Sequence, residues 1–334
     1  MKDLQFGVEI ETVGLTHQEL ARAIHAAVGA TQPFSTHALD TTGVIDACGR
    51  SWRIVPDGSL TQGSGSGEIV TPILGYDDLD LLQRVVREVA AAGARADEST
   101  GIHVHVGANR FDAQSIARLV KMVHKQERLL EHALGISERR LARFCKPVEP
   151  TFLHTLETRR PRTLKAVNKA WYGRHNTKPS RYDATRYHGI NLNSFYLRRT
   201  IEFRYFNGSV DADKVKAYVH LVLALAAKAL RSKGASSMRR EFRVETAKYD
   251  WRVFLLSLGL IGDEFKVTRK HLTQHLAGSA AWKGERRDKP RKERHEAATT
   301  HAASGEPSQA ANPAASDDDA PTQRDPADLE ANSL

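Results

Sequence analysis

Residues 6–11 read FGVEIE, and these six positions decide the architecture. Side chains alternate across a strand with period two, so Val8 and Ile10 point to one face while Glu9 and Glu11 share the other. Carboxylates that close repel one another unless a cation, an arginine or a shared proton relieves them. The same ruler finds kindred strands downstream. In GIHVHVG (101–107), Ile102, Val104 and Val106 form one face and His103 and His105 the other. In TIEFRYF (200–206), Ile201, Phe203 and Tyr205 oppose Thr200, Glu202 and Arg204. In EIVTP (68–72), Glu68 leads a short strand straight out of the Gly/Ser loop DGSLTQGSGSG (57–67). One sheet then presents Glu9, Glu11, Glu68, His103, His105, Glu202 and Arg204 on a single polar face, with its apolar face under helices.

The intervening segments supply those helices. HQELARAIHAAV, DDLDLLQRVVREVAAAG, DAQSIARLVKMVHKQERLLEHAL and DADKVKAYVHLVLALAAKAL carry the helical repeat and its start and stop signals. Two shorter helices are expected near 251–260 and 263–276. Two strands are expected between Phe34 and Asp57, and HGINLNSFY is expected to form a hairpin with RTIEFRYFNGS. Several strands follow one another with no helix between, which predicts an α+β fold with a mixed or antiparallel sheet and helices on one face rather than a doubly wound parallel sheet.

Composition bounds the function. The 334 residues are 40% hydrophobic and 27% charged, enough for one large core or two smaller ones. Cys48 and Cys145 form no CxxC or bridging framework, so a reducing cytoplasm is the expected setting, with neither an export signal nor a membrane span. The net charge of +9 concentrates between Arg139 and Arg204 and in KGERRDKPRKERH from Lys283. From there the chain is rich in Ala, Ser, Pro and Asp and poor in large apolar residues. The expected organisation is a catalytic domain over 1–281 and a disordered, low-complexity tail over 282–334.

Taken singly, each motif also fits a plainer reading: E-x-E a solvated strand face, HVH a half-exposed strand, EFR a cross-strand salt bridge. Their conjunction is an inventory for divalent cations and a polyphosphate, because carboxylates take hard cations, imidazole is a softer ligand, and arginine neutralises phosphoryl charge.

In this combination and order, FGVEIE, GEIVTP, GIHVHVG, GINLNS and TIEFRYFNGS resemble the amidoligase family of the glutamine synthetase-like carboxylate–amine ligase superfamily. The resemblance implies a curved, mainly antiparallel sheet, glutamine synthetase catalytic-domain-like, with helices packed on its outer face, and a reaction in which ATP phosphorylates a carboxylate and an amine displaces the phosphate, with ATP and two Mg2+ or Mn2+ ions. It further implies that Glu9 and Glu11 resemble first-strand metal ligands, one for each ion, and that Glu68 binds the ion nearer the substrate. His103 and Glu202 resemble ligands of the ion that bridges the phosphates. His105 resembles a phosphate contact, and Arg204 the cation that steadies the phosphoryl group in transit. Arg204 and Glu68 are thus the expected catalytic residues. Arg186, Arg198 and Arg199 are candidates for the nucleotide, and Asn191, Asp57 and Arg181 for substrate, which the basic middle of the chain matches to an acidic peptide or amino acid. Nucleic acid and membrane are not expected partners. Two other classes share part of the inventory: a metal-dependent hydrolase or nuclease with a basic groove, and a non-catalytic binding protein that keeps the fold. Consumption of ATP separates the first reading from both.

Overall fold

In a computed structural model, β1 (Phe6–Val13) lies inside an open sheet whose strand order is β2-β3-β4-β5-β1-β6-β8-β7, every neighbouring pair antiparallel. The structure describes residues 1–37, 41–60 and 63–283. The other strands are β2 (Ser35–His37), β3 (Thr41–Ile45), β4 (Ser51–Val55), β5 (Ser66–Val70), β6 (Gly101–Gly107), β7 (Ile190–Asn191) and β8 (Thr200–Asn207). Four long helices, α1 (His17–Val28), α2 (Leu79–Ala91), α3 (Ala113–Leu134) and α8 (Ala212–Arg231), join them. Shorter helices are α4 (Glu138–Arg143), α5 (Pro150–Thr158), α6 (Leu164–Tyr172), α7 (Asn193–Arg198), α9 (Val244–Ser257) and α10 (Lys266–Thr273).

The apolar alternation has the predicted consequence. Val8, Ile10, Ile69, Val104 and Phe203 are buried in one cluster with Leu20 and Ile24 of α1, Leu82 of α2, Val123 of α3 and Val222 of α8. Each such side chain contributes roughly 1.5–3 kcal/mol by leaving water. Phe206 stacks on Tyr218 of α8 at 4.2 Å between centroids. The helix ends follow local chemistry: Thr16 and Glu19 form a reciprocal cap on α1, and Gly29 closes it at φ 62°, a left-handed conformation that glycine adopts without Cβ strain.

The structure departs from the sequence reading in four places. Three strands rather than two pair between Ser35 and Val55. The HGINLNSFY strand is only two residues long, because the Asn191 Oδ1 accepts from the Asn193 backbone N–H at 2.8 Å and turns the chain into α7. The penultimate helix begins at Val244 rather than near 251, and the α-helical part of the last covers 266–273 behind a 3₁₀ turn. The fourth is a register shift between β6 and β8, which sets Ile102 opposite Phe206 but Val104 opposite Phe203. That extra residue bulges β8 between Phe203 and Phe206, the stretch that holds Arg204 and Tyr205. The expected tail lies, from residue 284 on, outside the described residues. No described helix is long and apolar enough to cross a membrane.

Candidate active site

Directly opposed residues of an antiparallel pair share a face, so register alone assembles the polar row. Glu11 stands opposite Glu68, Glu9 opposite His103, and His105 opposite Glu202, which also faces Asn191. The row floors a cavity of about 390 Å³. His103 Nδ1 lies 3.0 Å from Glu9 Oε2 and 3.9 Å from Glu202 Oε1, and its Nε2 is 3.8 Å from Glu11 Oε1. His105 Nε2 lies 3.4 Å from Glu9 Oε1 and 4.0 Å from Glu202 Oε2. Both Nε2 atoms are buried without a hydrogen-bond partner among the described residues. Three groups among the described residues bring potential ligand atoms within 4.8 Å of one another: Glu9–Glu68–His103, Glu9–His105–Glu202 and Glu11–Asp57–Glu68.

Surrounding groups fix the row. Arg204 Nη1 donates to Glu202 Oε1 at 2.5 Å and its Nε to the Phe144 carbonyl at 3.2 Å. Asn191 Nδ2 donates to Glu202 Oε2 at 2.7 Å, so that carboxylate is held from two sides. The Gly101 backbone N–H donates to Glu11 Oε2. Thr200 Oγ1 lies 3.0 Å from His105 Nδ1, with Ser194 Oγ 2.8 Å from Thr200. This chain orients the ring so that Nε2 faces the carboxylates.

The electrostatics divide the face. Burial opposes ionisation of Glu9, yet His105 and His103 outweigh it and hold the carboxyl well below its ordinary range. Burial is likewise outweighed at Glu202, where Arg204 and then His105 pull it down to about 2. Burial pushes Glu11 up to about 7, with Asp57 adding repulsion. It also pushes Glu68 well above the usual range, reinforced by Glu9, Glu11, Asp57 and Glu202. His103 falls to about 4 through burial and the Arg204 charge, despite Glu9 beside it. His105 rises because Glu9 and Glu202 overcome its burial. A face with this many acids therefore keeps one half charged and the other protonated unless a cation joins it.

The sequence candidates sort by position. Glu9, Glu11, Asp57, Glu68, His103, Glu202 and Arg204 line the cavity, with Arg181, Arg186 and Arg198 among its other lining residues. Arg198 Nη1 donates to Glu9 Oε1 at 3.1 Å, and Arg186 Nη1 to the Arg181 carbonyl at 3.1 Å. His105 and Asn191 are outside the cavity lining, His105 against Glu9 and Asn191 against Glu202. Arg199 is exposed and outside the lining; its guanidinium lies 5.3 Å from the Phe195 ring centroid.

Sequence reasoning missed Arg140 and Ser194, and it placed Thr200 on the polar face without giving it a role. Arg140 is buried, lines the cavity and donates through Nη2 to the Arg204 carbonyl at 3.0 Å. It occupies space that only glycine at 101 leaves: a Cβ there would stand 2.1 Å from Arg140 Nη1. The glycine opening GIHVHVG was the available signal, although nothing in it names the arginine.

A family model described as "putative amidoligase enzyme" matches residues 2–226, more than half of the chain. No curated protein matches.

Proposed function

The chain belongs to the amidoligase family, and from that premise we propose that it is an ATP-dependent carboxylate–amine ligase working through an acyl phosphate. The observation that carries the reading is the pair of buried His103 and His105 Nε2 atoms, without hydrogen-bond partners and set among carboxylates. A buried polar atom left unpaired costs roughly 1–3 kcal/mol. Divalent cations held among these groups would satisfy the two nitrogens and relieve the acids at once. Glu9, His105 and Glu202 would hold one Mg2+ or Mn2+, and Glu11, Glu68 and Asp57 a second on the substrate side, with Glu9 and His103 between them. Bound there, the cations would neutralise phosphate and carboxylate charge.

In this reading the substrate carboxylate oxygen attacks the terminal phosphorus of ATP and ADP leaves. The amine nitrogen then attacks the acyl carbon, phosphate leaves, and the nitrogen gives up a proton. Arg204, anchored through Glu202 and the Phe144 carbonyl, steadies the phosphoryl group in transit. Arg198 and Arg186 line the cavity and serve the nucleotide phosphates. Arg181 serves an acidic substrate. Asn191 acts through Glu202, whose orientation it fixes. Arg199 receives no role.

A screen of carboxylate and amine pairs with ATP and Mg2+ or Mn2+ tests the proposal, read by ADP release and by mass spectrometry. The expected result is a product lighter than the two substrates by one water, with one ADP per product. Metal-dependent cleavage of an ester or phosphodiester without ADP would replace the ligase reading with a hydrolase.

A further inference from the structure

The helix layer carries a second concavity that shares no lining residue with the cavity on the polar face. It measures about 380 Å³ and lies between α3, the turn after α5 and the loop after α8. Five cations line it: Arg118 and Lys121 from α3, Arg160 and Arg162 from the turn, and Lys233 from the loop. No aspartate or glutamate among the described residues lines it. Among the described residues, none of the five enters an ion pair. An adjoining smaller cleft shares Arg118 and adds Lys125 and Lys228.

Such a gathering is costly by itself. Arg118, Lys121 and Lys125 fall at i, i+3 and i+7 of one helix, a stripe roughly 10 Å long, and all three are half-buried. Half-buried arginines and lysines lay their stems along the protein and keep their charged heads in solvent, and like charges gathered on one helix face repel unless an anion joins them. Arg160 takes the left-handed conformation at φ 44°, uncommon for a residue other than glycine, in the turn that brings it and Arg162 to the cleft. Arg118 is braced by an Nε bond to the Ala229 carbonyl at 2.8 Å. Ala117, Leu156 and Pro161 supply an apolar wall, and a Cβ on Gly234 would meet nothing within 4 Å, so the mouth is open.

We propose that this cleft binds a small molecule carrying at least two closely spaced phosphate groups. Its volume falls within the usual range for small-ligand pockets. Three arginine forks and two lysines match several phosphate oxygens at once, and the apolar wall receives the uncharged part of the ligand. The site is separate from the proposed ligation chemistry and does not depend on it.

Isothermal titration of the full-length protein in EDTA, with sodium tripolyphosphate, orthophosphate and a short single-stranded oligonucleotide as probes, tests this. Tripolyphosphate should bind at least about tenfold more tightly than orthophosphate. The pair Lys121→Glu and Arg162→Glu should weaken it at least about tenfold, whereas Arg22→Ala, exposed and outside both cavities, should leave it within about twofold. Circular dichroism melting establishes that each variant folds; if the charge reversal does not, the milder pair Lys121→Gln and Arg162→Gln should show the same direction with a smaller loss. Absence of tripolyphosphate binding, or unchanged affinity in the folded groove variants, overturns the proposal. A loss seen instead with Arg198→Ala assigns the binding to the polar cavity and overturns it too. An oligonucleotide that binds more tightly than tripolyphosphate overturns the small-molecule assignment in favour of a phosphodiester strand.

Discussion

Glu202 and Glu11 lie on the same sheet face, each only 4% exposed, yet their neighbours drive them in opposite directions. Glu202 accepts from Arg204 and Asn191 and stays ionised. Glu11 faces Glu68 across the strand pair, feels Asp57, and holds its proton to about pH 7. Burial is common to both. What differs is whether a cation from the protein stands beside the carboxylate, so one half of the face is already compensated and the other calls for a compensating ligand.

The largest expected effect tests that contrast directly. Glu202→Gln leaves Arg204 buried without its counter-charge and should cost about 3–5 kcal/mol of stability. Glu68→Gln removes an acid that its neighbours disfavour and should leave the metal-free protein as stable or more so. Chemical denaturation of both variants in EDTA decides the matter, and equal losses would erase the distinction between the two halves. Both variants should lose activity, with excess Mn2+ restoring part of it for Glu202→Gln.

Arg204→Lys sharpens the comparison within the compensated half. Lysine keeps the charge but loses the planar fork, so turnover should fall about 100-fold while ATP and metal affinities change little. Steady-state kinetics beside metal titration would show it, and intact turnover would make Arg204 a purely structural partner of Glu202.

The smallest effect is in pH dependence, where the halves have opposite signs. Glu202, lowered from 4.5 to about 2, contributes stability that is present above about pH 4.5 and lost as pH falls toward 2. Glu11, raised from 4.5 to about 7, binds its proton more tightly when folded. The Glu11 contribution to stability of the metal-free protein, read as the difference between the wild type and Glu11→Gln, should therefore fall as pH rises from about 4.5 to about 7 and level off above, while His103, lowered to about 4, contributes the opposite slope below about 6.5. Added Mn2+ should raise the melting temperature increasingly through that same window, because binding displaces the proton. A metal effect independent of pH, or one unaltered by Glu11→Gln, would separate Glu11 from the cation site.

The sequence exposed the strands because period two is local: FGVEIE, GIHVHVG and TIEFRYF each sort their side chains without knowledge of a partner. It also exposed the helix layer, whose apolar stripes match those strands. INLNS looked like more strand because Ile190 and Leu192 alternate, while the turn that ends it depends on a side chain closing on its own backbone. Arg140 was hidden because its place is carved by a glycine 39 positions away in the chain (140 minus 101).

What the amino-acid sequence determined by itself is which residues face together along each strand, since that follows from backbone geometry alone. Strand order and register are long-range choices. Only the tertiary structure decided that Glu11 meets Glu68, that Glu9 meets His103, and that His105 and Asn191 both meet Glu202. The bulge beside Arg204 and the screening of Glu202 by that arginine are decided at the same level. Charge state follows from those meetings and not from residue type, because a buried carboxylate takes its proton affinity from whatever stands a few ångströms away.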